Sequence, residues 1–260
     1  MNQHCFTIPA YKDSIYLEDC IKSIRNQTIQ SDIIICTSTP TTQNKMLADK
    51  YEIPYYINDN GLYDVINNWN FALKNAKNRL VTIAHQDDIY EPGFAEAVTK
   101  LMDQETIISF TNYSDLVGKK IKAFSINKTV KTIMLFPFLI KPKIKSKFIK
   151  KLVLSFGDPI CCPSVTINKG FVPDFSFSED YQCVIDWNAW YHFAKCEGSF
   201  RFINKRLVLH RVHEDSTTSH LILNGKRRVE EKSILQQIWG KKIGKLIAWV
   251  YQLGQLENNS

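Results

Sequence analysis

The stretch Leu80-Val-Thr-Ile-Ala-His85-Gln-Asp87-Asp88-Ile-Tyr-Glu-Pro92 is a short apolar run that ends abruptly in paired carboxylates before a proline placed to open a helix. In open α/β sheets, ligands bind beyond the carboxyl ends of the strands. Oxygen donors held at that edge suit Mg²⁺ or Mn²⁺ carrying a diphosphate. Taken alone, Asp87 and Asp88 suit equally well the simpler role of capping the helix entered at Pro92.

Working outward, strand-like and helix-like patterns alternate on both sides of this stretch. A strand at His4-Cys-Phe-Thr-Ile8 precedes a helix from about Ser14, whose Leu17, Cys20, Ile21 and Ile24 share one face. Asp32-Ile-Ile-Ile-Cys-Thr37 is an unbroken apolar run of the kind buried on both faces of a parallel sheet, and Ile53–Ile57 is a shorter candidate. Helices are expected over Leu62–Ala76 and Pro92–Met102, with a strand at Thr106–Thr111. The order predicts a doubly wound, mostly parallel sheet flanked by helices. The second half is less regular, with a strand at Ser164–Asn168, an aromatic helix at Asp186–Cys196 and an extended run over Phe200–Val212.

The chain has 260 residues and is 44% apolar, enough for a full core. Its seven cysteines lie mostly in apolar stretches without a CxxC pair, and no secretory leader precedes the first strand. They read as reduced core residues of a cytoplasmic protein. No apolar run approaches the roughly 20 residues that a spanning helix requires. The formal charge of +7 is unevenly placed: between Asp115 and Asp158 there is no acidic residue, while lysines interleave with Phe124, Phe136, Phe138 and Phe148. That interleaving favours an anionic membrane surface or a diphosphate-linked acceptor over nucleic acid, with a solvated lysine face as the plain alternative. After Gly225 the chain reads as a basic amphipathic helical segment, suited to membrane docking, core packing or homodimer formation.

Several motifs in order give the chain its identity as a sequence. Thr7-Ile-Pro9-Ala10-Tyr11, Tyr16–Ile24, Asn26-Gln-Thr28, Asn60-Gly61, Asn68-Trp-Asn70-Phe-Ala-Leu73 and His85-Gln86-Asp87-Asp88 are followed by Phe177-Ser-Glu179-Asp180, Ile185-Asp186-Trp187-Asn-Ala-Trp190 and His210-Arg211-Val-His213-Glu-Asp-Ser216. Together they resemble the family 2 glycosyltransferases of the GT-A fold, over most of the chain up to about Ser219. The resemblance implies a domain over 1–224, with a nucleotide-binding half at 1–112 and an acceptor-binding half at 113–224, followed by the segment 225–260. It implies inverting transfer from a nucleoside diphosphate sugar, UDP- or dTDP-linked, to a glycan hydroxyl on a lipid-linked acceptor. The resemblance also implies a setting in cell-surface polysaccharide assembly, and the basic stretches make the inner face of the plasma membrane the expected location.

Carried over residue by residue, the resemblance makes Asp186 the catalytic base, with Glu179 and Asp180 as competitors. Asp87, helped by His213 and Asp88, is expected to hold Mn²⁺ or Mg²⁺. Pro9, Ala10, Tyr11, Ser38, Asn60, Asn70, His85, Gln86, Asp87 and Arg211 are the expected donor contacts, Arg211 through a charge-assisted hydrogen bond to the diphosphate. Glu179, Asp180, Trp187 and Trp190 are expected on the acceptor side, the tryptophans as a stacking wall or as core. Two positions depart from the family pattern. His85 stands where the metal motif begins with an acid, and Cys36-Thr-Ser38-Thr39 replaces the acids that usually end the second strand. These departures keep a rival reading open, a non-catalytic partner domain of an active transferase. No lysine- and glycine-rich loop of a nucleotidyltransferase is visible.

Overall fold

Strands that are apolar on both faces need cover on both sides, and the helices of this chain supply it. A computed structural model describes residues 2–213 and 225–256, with 250–256 described by their backbone alone. The first half runs β1 (His4–Ala10), α1 (Leu17–Arg25), β2 (Asp32–Thr37), α2 (Thr42–Lys50), β3 (Tyr55–Ile57), α3 (Val65–Asn75), β4 (Leu80–Ile83), β5 (Ile89–Tyr90), α4 (Phe94–Leu101) and β6 (Thr106–Val117). The second half runs β7 (Lys120–Lys122), α5 (Ile126–Met134), α6 (Phe136–Ile140), β8 (Lys143–Ile144), α7 (Lys147–Val153), β9 (Val165–Asn168), α8 (Ile185–Lys195) and β10 (Ser199–Val212), then α9 (Lys226–Trp239) and α10 (Lys241–Leu256).

The strands form one sheet in the order β3-β2-β1-β4-β9-β6-β10-β5, with β7 on β6 and β8 on β10. β1 is parallel to β2 and β4, while β9 runs antiparallel between β4 and β6. Since β10 is parallel to β6, the carboxyl ends of β1, β2, β4, β6 and β10 share one edge. Alternation along the strands divides the core. Phe6, Ile8, Ile33 and Ile35 pack with Leu17, Ile21, Phe94 and Val98 on one face. Cys5, Ile34 and Cys36 pack with α3, α8 and α9 on the other.

Three expectations change in the second half. Trp187 and Trp190 are corrected from an acceptor wall to core: they are 2% and 1% exposed, and Trp187 Nε1 donates to the Leu154 carbonyl. The lysine-rich stretch is not wholly a solvated face. Lys150 is fully buried, Lys128 pairs with Asp115, and Lys143, Lys145 and Lys147 pair with Asp103, Glu105 and Glu197. The segment after Gly225 begins as core, because Ile234 and Leu235 of α9 are fully buried in the same cluster as α8. α10 exposes Ile243, Leu246 and Trp249; Val250, Tyr251 and Leu253 of the expected stripe lie outside the described side chains. Glu214, Asp215 and Ser216 of the last motif, Ser219 and the boundary at 224 also lie outside the described residues. All seven cysteines are free. Among the described residues no helix is long and apolar enough to cross a membrane.

Candidate functional site

The site lies where β1, β2, β4 and β10 end. β4 stops at Ile83, and the next five residues turn before β5, which pairs antiparallel with Val208 and Leu209 of β10. That pairing ties the carboxylate turn to the strand carrying Arg211 and His213. The Arg211 amide donates to Asp88 Oδ1 at 2.8 Å, Arg211 Nε donates to the Asp87 carbonyl at 2.8 Å, and His213 Nε2 lies 2.9 Å from Asp87 Oδ2. Residues more than 120 positions apart are thereby held on one turn.

His85, Asp87 and Asp88 bring ligand atoms within 4.8 Å of one another. Asp88 is buried, and desolvation pushes its carboxyl up to about 7, helped by Asp87 and opposed by His210. Burial pushes the His85 imidazole down to about 4, against the pull of Asp87, so it is neutral near pH 7. Its Nε2 and Asp88 Oδ2 are buried without hydrogen-bond partners. Buried polar atoms are normally satisfied, so a neutral nitrogen and a carboxylate oxygen left open beside Asp87 fit a divalent cation. Trp69 of α3 lies against the His85 ring at 5.2 Å and against Phe177 at 5.1 Å.

The other expected donor contacts divide into open and engaged groups. Tyr11 is exposed at the end of β1, and Ser38 beyond β2 keeps a buried hydroxyl without a partner. The Gln86 amide instead clips the two strand ends together, accepting from the Tyr11 amide at 3.0 Å and donating to its carbonyl at 3.1 Å. Asn70 does the same for Phe177, accepting from its amide at 2.7 Å and donating to its carbonyl at 3.0 Å. Asn60 accepts from the Leu62 amide in its own turn. The Ala10 carbonyl accepts from Asn68, and Pro9 is buried within β1. The Arg211 guanidinium lies 4.2 Å over the Tyr16 ring and 3.5 Å from Asp19.

Asp186 opens α8, its Oδ1 accepting from the Trp187 amide at 2.9 Å. Burial raises its pKa, and Lys131 and Arg227 counter that rise. Glu179 and Asp180 are exposed, with Asp180 bonded to the Ser178 hydroxyl. Reasoning from sequence missed Asp158, a carboxylate with Oδ2 buried and unpartnered, whose pKa rises well above the ordinary range through burial and the charge of Asp186. It also missed Lys131 and Arg227, whose charges reach both acids. The available signal was that Asp158 is the first acid after the acid-free stretch.

The family model described as Glycosyl transferase family 2 matches residues 5–168. Among solved structures, S. aureus TarS 1-349 in complex with UDP-GlcNAc is 12% identical with a TM-score of 0.62, covering 96% of this chain and 72% of that one. Mannosyltransferase PcManGT from Pyrobaculum calidifontis, in complex with GDP-Man and Mn²⁺, is 10% identical with a TM-score of 0.63, covering 99% and 76%. At these identities the likeness shows the fold, a GT-A arrangement of central sheet and flanking helices. No curated protein matches the chain significantly in sequence.

Proposed function

The chain belongs to glycosyl transferase family 2, and from that membership we propose a specific activity. It is an inverting, metal-dependent glycosyltransferase that moves a sugar from a nucleoside diphosphate, UDP or dTDP, to a hydroxyl of a lipid-linked glycan in cell-surface polysaccharide synthesis. The observation that carries the reading is the His85, Asp87 and Asp88 cluster at the carboxyl edge of the sheet, with His213 brought against Asp87. The UDP-GlcNAc bound to TarS and the GDP-Man and Mn²⁺ bound to PcManGT support a nucleotide-sugar donor.

Asp87, Asp88 and His213, joined by His85, are the residues to hold Mn²⁺ or Mg²⁺; when bound, such an ion supplies Lewis-acid stabilisation of the departing diphosphate. Pro9, Ala10, Tyr11 and Ser38 line the nucleoside side, where hydroxyl donors replace the usual acids. Gln86, Asn60, Asn70 and Arg211 hold the turns around the donor rather than spare groups for it, Arg211 by bonding the Asp87 carbonyl. Asp186 takes the proton of the acceptor hydroxyl as that oxygen bonds the anomeric carbon and the carbon–phosphate oxygen bond breaks on the opposite face. Glu179 and Asp180 flank the acceptor entrance.

A lipid-linked acceptor is supported by exposed Phe124, Ile133, Ile140 and Phe148 in the lysine-rich stretch, and by Ile243, Leu246 and Trp249 on α10. We place the protein peripherally on the inner membrane face on this basis. Because α9 is core, the membrane test uses Ile243→Ser, Leu246→Ser and Trp249→Ser together, not a deletion. Undiminished sedimentation with anionic vesicles would remove α10 from the reading.

The deciding experiment is calorimetric titration with UDP, dTDP, GDP and CDP, with Mn²⁺ or chelator, on wild type and Asp87→Ala. Metal-dependent binding of one nucleotide, lost in the variant, is expected. Absence of binding under every condition would favour the non-catalytic partner, the rival reading left open by the departures at His85 and Thr37–Thr39.

A further inference from the structure

Between α7 and β9 the chain carries Asp158, an acid to which the proposed transfer assigns no part. Its Oδ1 accepts from the Ile160 amide at 2.9 Å, a turn closed by its own side chain, while Oδ2 is buried without a partner. Three side chains pin the surrounding segment. Trp187, beside Asp186 in the first turn of α8, donates Nε1–H to the Leu154 carbonyl at 2.8 Å, and Trp239 of α9 donates to the Ser155 carbonyl at 2.7 Å. The Tyr90 hydroxyl of β5 donates to the Pro163 carbonyl at 2.9 Å. The segment is thereby fixed between the start of α8 and the turn that carries Asp87 and Asp88.

The groups facing Asp158 favour one ionised acid over two. Asp186 acts on it from α8, Lys131 from α5 and Arg227 from α9, and the neighbouring Cys161 and Cys162 thiols are held neutral by burial. Arg227 is also bonded to Glu231 at 2.8 Å, so Lys131 and a shared guanidinium stand against two carboxyls. A buried carboxylate oxygen without a donor is costly, whereas the protonated form is itself a donor. Burial and the charge of Asp186 hold the Asp158 carboxyl well above the usual range, so the proton of the pair resides there. Asp186 has the Trp187 amide on Oδ1, and both cations favour its ionised form.

We propose that Asp158 is a positioning residue for Asp186: it keeps a proton on Oδ2 and donates it as a hydrogen bond to Asp186, aiming that carboxylate at the acceptor hydroxyl. The proposal rests on the reading of Asp186 as the base. Burial alone drives Asp186 towards its protonated, inactive form, and a bond donated to the ionised form opposes that drift. When Asp186 takes the proton of the acceptor hydroxyl, Asp158 retains its own, so the two acids do not exchange roles.

The test is a ¹³C NMR titration of the full chain, labelled at the aspartate side-chain carboxyls, as wild type, Asp158→Asn, Asp158→Ser and Asp186→Asn. Asparagine copies the shape of protonated aspartate and keeps its donor; serine keeps a hydroxyl for the Ile160 amide but is too short to reach Asp186. Wild type is expected to show two steps above the usual carboxylate range. The upper step is absent from both Asp158 variants and lowered in Asp186→Asn. The lower step stays in place in Asp158→Asn and moves to higher pH in Asp158→Ser. With the donor that calorimetry identifies, kcat is expected to fall about tenfold or more in Asp158→Ser, and Asp158→Asn to recover most of that loss.

The proposal is overturned if Asp158 titrates in the usual range, or if Asp158→Asn and Asp158→Ser leave the lower step in the same place. Loss of activity in Asp158→Asn as deep as in Asp186→Asn also overturns it, because Asp158 would then itself be the ionised base. The upper step in wild type, Asp158→Asn and Asp186→Asn decides the protonation of Asp158 whatever the stability of Asp158→Ser. A wild type that binds no nucleotide sinks the transferase reading alone, and the two NMR steps still decide whether Asp158 holds Asp186 ionised.

Discussion

Glu230 of α9 places Oε2 2.7 Å from the backbone nitrogen of Cys183, and the same carboxylate accepts from Gln182 at 2.9 Å. These amides belong to the turn that delivers Asp186, so the helix after Gly225 fixes the proposed base from behind. Removing the carboxylate leaves half-buried amides unpaired. Glu230→Ala is expected to cost about 2–3 kcal/mol of stability. It is also expected to lower kcat about tenfold or more through displacement of Asp186. Glu230→Gln, which keeps one acceptor oxygen, lies between. Urea denaturation and steady-state kinetics check both, and unchanged kcat in Glu230→Ala would separate α9 from the site.

As the proposed base, Asp186 must be ionised to accept a proton, and burial holds its pKa above the ordinary carboxylate range. The acidic limb of kcat/KM is therefore expected above that range, with activity lost as pH falls through it. Lys131 lowers the Asp186 pKa, so Lys131→Met moves the limb to higher pH. Asp186→Asn is expected to reduce kcat by about 10²–10⁴ with the fold intact. A limb that stays in place in Lys131→Met would show that another group titrates.

The first half of the fold was legible because its strands and helices announce themselves locally: Asp32–Thr37 was read with its observed bounds, and Leu17, Cys20, Ile21 and Ile24 face the sheet as their spacing requires. The site turn was legible for the same reason, as an apolar run broken by acids. What sequence could not show was pairing at long range. Nothing near Glu230 marks it as a buried cap for residue 183, and nothing near Lys150 marks its ammonium as a donor to residues 196 and 198. A lysine-rich stretch reads as surface until its partners are known. Trp187 and Trp190 were readable as wall or core, and only the packing of α8 on the sheet decides for core.

His4 contributes a pH dependence of stability. Its ring nitrogens bond Ser31 and Thr82 at 2.9 Å each, and burial pushes its pKa down to about 3, with Asp32 opposing. The unfolded chain binds a proton near pH 6.5 that the folded chain refuses. Stability is then fully present above about pH 6.5 and falls as pH drops towards 3, by up to about 1.4 kcal/mol per pH unit. His4→Gln lacks this slope. Urea unfolding from pH 4.5 to 7.5 compares the two, and parallel slopes would refute the assignment.

Lys150 closes the carboxyl end of α8. Its fully buried Nζ donates to the carbonyls of Cys196 and Gly198 at 2.9 and 2.8 Å and lies 5.1 Å from the centre of the Phe200 ring. Helix ends leave carbonyls without partners, and a buried cation satisfies the one at the C-cap and another in the following turn while meeting the negative end of the helix dipole. Lys150→Met fills the same space but leaves both acceptors unpaired, an expected loss of about 3 kcal/mol, or roughly 10 °C in Tm. Gly198 completes the turn with φ +85°, and a β-carbon there would meet the Phe171 ring at 2.8 Å and the Glu105 carbonyl at 2.9 Å. Gly198→Ala therefore carries both backbone strain and overlap, and is expected to cost at least about 2 kcal/mol. Both variants act through the α8–β10 turn, far along the helix from Asp186. They are thus expected to lower Tm while leaving the pH limb of kcat/KM where it stands, and a shifted limb would mean that the turn is coupled to the base.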